Sequence, residues 1–116
     1  MLGQYSKVAM GKLGQIIPMK WDNNTKEFTI PLNLNFEPKR LLILINASDA
    51  GPGSSENTYI NNPKEGDVIK LDLSNGLGYK EWFKVVQVNK NEIKFSFMTY
   101  SDNYASIYFL EYIAIG

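Results

Sequence analysis

From Phe28 to Phe36 the chain alternates without a break. Phe28, Ile30, Leu32, Leu34 and Phe36 fall on one side of an extended backbone, and Thr29, Pro31, Asn33 and Asn35 on the other. A period of two is the signature of a strand with one dry and one wet face. After Glu37-Pro38-Lys39-Arg40 comes Leu41-Leu42-Ile43-Leu44-Ile45, where the alternation disappears. An unbroken apolar run of this length marks a strand covered on both sides. Together the two runs set the class as β and raise the question of what covers the second face.

The remaining segments fit that class. Ser6 to Met10 reads as a short first strand ended by Gly11 and Gly14, and Pro18 interrupts the apolar patch begun by Ile16 and Ile17. Asn46 to Asn62 is small and polar; Ser48 to Ser55 reads as a long loop, of the kind that carries function, and Ser48 to Asn62 as a contact segment. Val68 to Leu73 turns Ile69, Leu71 and Leu73 inward. Glu81 to Val88 is apolar on both faces, with Trp82, Val86 and Val88 on one and Phe83 and Val85 on the other. Asn89-Lys90-Asn91 makes a tight hairpin into Glu92 to Met98, where Ile93, Phe95 and Phe97 face inward. Ile107 to Ile115 is again apolar on both sides. No stretch has a helical stripe. The expected fold is a single all-β domain over 1–116, an antiparallel β-sandwich of jelly-roll-like type with about six to eight strands.

Composition narrows the function. The chain has 116 residues and neither cysteine nor histidine, so disulfides, thiolate metal sites and the commonest general base are excluded. Twelve basic residues balance twelve acidic ones, which gives no electrostatic case for nucleic acid. No apolar run approaches the ~20 residues of a membrane-spanning helix. Residues Met1 to Tyr5 lack a basic segment followed by an apolar core, so no secretory signal is expected.

Three strands are one-sided and three are apolar on both faces. Without helices, long loops or another subunit must cover the extra faces. Burying even ~400 Å² of apolar surface is worth roughly 10 kcal/mol before association costs. Trp82, Tyr108, Leu110 and Tyr112 are therefore candidate oligomer-interface residues. Tyr59, Tyr79, Tyr100 and Tyr104 lie in or beside loops, where aromatic faces can stack on sugars; with Asp102 they form a candidate receptor or sugar contact. Asp49, Glu56 and Asp102 are loop carboxylates with no catalytic spacing, and Asp49-Ala50-Gly51 and Asp102-Asn103 lack the ligand spacing of a calcium loop. The glycine-rich Gly51 to Ser55 and Gly76-Leu77-Gly78 do not end in the Lys-Ser/Thr of a phosphate loop. No catalytic residue, metal site or cofactor is expected.

Three segments taken in order carry a family likeness: Gly11-Lys12-Leu13-Gly14, the corner Phe36-Glu37-Pro38-Lys39 feeding an apolar strand, and the ending Tyr112-Ile113-Ala114-Ile115-Gly116. In these the chain resembles the small C-terminal β domains of tailed-bacteriophage tail fibre, baseplate and receptor-binding proteins. The resemblance implies a β-sandwich in the virion tail, often trimeric, placed where the particle meets the bacterial surface. It implies as partners other copies of the chain, other tail proteins and a cell-surface glycan, for host attachment or tail assembly. A monomeric carbohydrate-binding module is the alternative, and a glycan hydrolase using Glu56 or Asp102 a third.

Overall fold

A computed structural model of the chain describes residues 7–18, 26–48, 57–72, 79–99 and 106–116. Eight strands follow in order: β1 (Val8–Pro18), β2 (Glu27–Pro31), β3 (Arg40–Ser48), β4 (Asn57–Asn61), β5 (Val68–Asp72), β6 (Tyr79–Val88), β7 (Glu92–Phe97) and β8 (Ser106–Ile115). They form two four-stranded sheets, β1-β8-β3-β4 and β2-β7-β6-β5, in which every pairing is antiparallel. The fold is the expected all-β sandwich. First strand pairs with last and second with second-last, the nested arrangement of a jelly-roll-like chain.

Side chains from both sheets fill the space between them. Ile30, Ile43, Ile45, Phe83, Val85, Ile93, Phe95, Ile107 and Phe109 are fully buried there. Phe28 stacks on Phe95 at 5.0 Å between ring centroids, and Phe83 meets Phe95 edge-on at 5.1 Å. Phe109 reaches across from the other sheet to 5.6 Å from Phe95. Offset and edge-on contacts at these spacings are the favourable arrangements of aromatic quadrupoles. The alternation from Phe28 to Phe36 survives in burial, although β2 stops at Pro31. Past it, Asn33 takes a left-handed φ of 54°, and the N–H groups of Leu32 and Leu34 donate to the carbonyls of Asn91 and Lys90. In the β6–β7 turn, Asn89 Oδ1 accepts from the N–H of Asn91 at 2.8 Å and of Glu92 at 3.0 Å, as asparagine does in turns.

The strands that read as apolar on both faces owe much of that pattern to β-bulges. Glu111 pairs with Leu44 and Phe109 with Ile45, so Leu110 is an extra residue on β8. An extra residue reverses which face the following side chains take. Ile107 and Phe109 point into the core before the bulge; Tyr112 and Ala114 do so after it. In β6, Lys70 pairs with Glu81 and Ile69 with Phe83, which makes Trp82 the extra residue and turns it into the core beside Phe83. A second shift at Val86 brings Val88 back to the side of Phe83 and Val85, not opposite them as expected.

Two strands correct the sequence reading. β1 does not end at Gly11 or Gly14 but runs to Pro18; Leu13 and Gly14 together oppose Leu110, and Gly14 takes φ +60°. The segment read as a contact loop, Ser48 to Asn62, contains the last residue of β3 and the whole of β4. Asn57–Asn61 was hidden by its polar residues, which suit an edge strand exposed everywhere except at Ile60.

Candidate functional site: the outer face of one sheet

The outer faces of the two sheets differ in chemistry. On the β2-β7-β6-β5 sheet the pairs Glu27 with Ser96, Thr29 with Lys94 and Val68 with Lys84 lie outside. Lys70 and Glu81 form an exposed ion pair there at 3.9 Å, which at such exposure adds little to stability. This is an ordinary wet face.

The β1-β8-β3-β4 sheet is largely apolar outside, with Lys12, Arg40, Asn57, Asn61 and Glu111 as polar interruptions. Because Ala9, Gly11, Leu13 and Ile17 turn towards the core, Val8, Met10 and Ile16 must turn away. They are 61%, 71% and 60% exposed. Register places Val8 beside Ile115, Met10 beside Ile113 and Ile16 beside Tyr108. Ile113 in turn pairs with Leu42 on β3, so one row reads Met10, Ile113, Leu42, three apolar side chains across three strands. The next row reads Lys12, Glu111, Leu44, Tyr59. Ile113, Ile115, Leu42, Leu44 and Tyr108 are half-buried, leaving part of each in water. A grouping of apolar side chains across neighbouring strands is what protein-docking, membrane and ligand surfaces share, unlike scattered single residues.

The candidate interface residues divide. Tyr108 lies on this outer face, and Leu110 sits half-buried at the bulge. Trp82 is 1% exposed, and its Nε1–H donates to the Leu71 carbonyl at 2.9 Å. Its burial comes from the molecule's own core, so it has no surface to offer another copy. Tyr112 also faces inward, its ring lying across Gly11. The sequence pattern missed Val8, Met10 and Ile16, because the glycines around them read as strand breakers.

Among the candidate contact residues, Tyr59 lies on edge strand β4, 57% exposed. Beside it the free edges of β4 and β5 border a cleft of about 290 Å³, lined by Ile45, Thr58, Tyr59, Asn61, Asp67 and Lys70 among others. The backbone of Tyr79 starts β6 opposite Asp72. Tyr100, Asp102 and Tyr104 lie outside the described residues, as do Asp49, Glu56 and both glycine-rich stretches. Among the described residues, no group of three His, Cys, Asp or Glu side chains is placed to hold a metal ion, and no helix is long and apolar enough to cross a membrane.

The segments that carry the phage-tail likeness are neighbours in space. Gly116 packs against the Phe36 ring so closely that a Cβ on it would collide with Cδ2. The Lys39 N–H donates to the Ile115 carbonyl at 2.7 Å, and Lys7 Nζ stands 5.8 Å from the centre of the Phe36 ring. The Phe36 corner and the Tyr112 to Gly116 ending thus form one unit, with the Gly11 segment paired along it. No protein-family model matches the chain, and no curated protein or solved structure matches it either.

Proposed function

We propose that this protein is a non-catalytic structural module of a bacteriophage or prophage tail. It works by docking, in host-surface attachment or tail assembly, with other copies of itself and with other tail proteins. The observation that carries the docking role is the apolar outer face of the β1-β8-β3-β4 sheet, set against a polar face on the opposite sheet. An apolar sheet face left in water is an aggregation hazard unless something covers it. The assignment to a tail rests on the Phe36-Glu37-Pro38-Lys39 corner and the Tyr112 to Gly116 ending, and their packing together supports reading them as one motif. Gold-labelled antibody applied to particles from cells expressing the gene is expected to decorate tails. Particles with unlabelled tails, or a gene without tape-measure and baseplate neighbours, count against the assignment.

The cleft beside Tyr59 favours a second reading, a monomeric carbohydrate-binding module, since it combines an aromatic ring with amide, carboxylate and ammonium groups. In that case bacterial cell-wall saccharides bind to a monomer, and Tyr59→Ala weakens the binding at least tenfold by calorimetry. No binding by the wild-type chain removes this reading.

A further inference from the structure

We propose that the outer face of the β1-β8-β3-β4 sheet is the seam of a two-fold dimer, in which β1 of each copy lies over β8 of the other. This rests on the docking role given to that face above, and it names the occupant as a second copy of this chain.

The inference comes from how the rows are matched. Outward residues on β1 and β8 are neighbours in the pairs Val8–Ile115, Met10–Ile113, Lys12–Glu111 and Ile16–Tyr108. A two-fold axis lying in the interface, between these strands and nearly parallel to them, carries each β1 position onto the β8 position beside it. Val8 then meets Ile115 of the second copy, Met10 meets Ile113, and Ile16 meets Tyr108. Lys12 meets Glu111, and by symmetry Glu111 meets Lys12. Each of these four rows therefore sets apolar against apolar or cation against anion, and a two-fold contact must be self-complementary in this way; the end row sets Pro18 against Ser106. Shifting the axis by one strand, to between β8 and β3, spoils the match. Glu111 would then stand on Leu44 and Lys12 on Tyr59, so neither charge meets its opposite across the seam.

Lys12 and Glu111 are free to act between copies. Both are exposed, and among the described residues the ion pair within 4.0 Å is Lys70–Glu81, not this one. The size is that of a weak pair. Val8 to Ile16 spans about 27 Å at ~3.4 Å per residue, and two strands with their side-chain margins are about 14 Å wide. That gives a flat footprint of roughly 400 Å² per copy, about 800 Å² in total, below the roughly 1,200–2,000 Å² of standard interfaces and in the range of weak, transient ones. Leu42 and Leu44 on β3 flank the seam, just beyond the edge of the partner's β1.

Charge reversal tests the seam between molecules. Lys12→Glu places like charges opposite each other in the dimer, and so does Glu111→Lys. Each variant, shown folded by circular dichroism, is expected to raise the dimer dissociation constant about tenfold or more in sedimentation velocity. Mixing the two variants is expected to restore the dimer, because each then presents the charge that the other lacks. Met10→Glu is expected to give monomers. Loss of labelling on tails would sink the tail assignment without touching the seam. A wild-type monomer or trimer in solution overturns the seam, as does a dimer that ignores both single reversals.

Discussion

Gly11 has room for a hydrogen and nothing larger. A Cβ there would lie 2.8 Å from Cε1 of Tyr112, inside any normal contact. Glycine in a strand costs roughly 0.5–1 kcal/mol of chain entropy relative to alanine, so the position is kept for the ring. Gly11→Ala is expected to destabilise the fold by about 1–2 kcal/mol in urea unfolding. In a Tyr112→Ala background the same change is expected to be neutral or stabilising, and equal effects in both backgrounds would refute the contact. Trp82 makes a second residue-scale case. Trp82→Phe keeps a ring in the core but abandons the Leu71 carbonyl, an expected loss of about 1–3 kcal/mol. Phe95→Ala empties the centre of the ring cluster. At about 3–5 kcal/mol, it approaches the whole stability of an ordinary domain.

Among elements, β1 depends most on one backbone angle. Gly14 holds φ +60° with open space around it, so the obstacle to a side chain is conformational and not a collision. Asparagine tolerates that region and valine does not. Gly14→Asn is expected to cost a few tenths of a kcal/mol and Gly14→Val about 1–2; equal melting temperatures for the two would argue against a left-handed Gly14. The same element shows where a sequence stops being readable. A strict alternation such as Phe28 to Phe36 names its inner face directly, since each side chain reports its own exposure. Ile107 to Ile115 cannot be read so, because the phase reverses at Leu110 and nothing local marks that residue as the extra one. The same holds for Trp82 and Val86 in β6. The polar β4 was invisible for another reason: an edge strand needs few apolar residues. For the docking face the cost was direct, since Val8, Met10 and Ile16 matter only once β1 is known to pass through its glycines.

For the whole molecule, the proposed pairing through one outer face would couple stability to concentration. A chain that pairs through one face gains stability by mass action. Its melting temperature is expected to rise with protein concentration, and Met10→Glu is expected to flatten that rise while leaving the dilute limit unchanged. A wild-type melting temperature independent of concentration would contradict pairing. Folding is expected to be slow, in the millisecond-to-second range of β-sandwiches, because β1 must find β8 at the far end of the sequence. That pairing has a further consequence. The N–H of Gly116 donates to the carbonyl of Lys7 at 2.8 Å, so the two ends of the described sandwich share one corner. Any polypeptide fused before Lys7 and any fused after Gly116 would leave from that single point. The proposed two-fold axis runs nearly along the strands, so it keeps both copies' corners at the same end. Such a pair would hang from its mount like a plug on two cords, with the Lys7 and Gly116 corners of both copies at one pole.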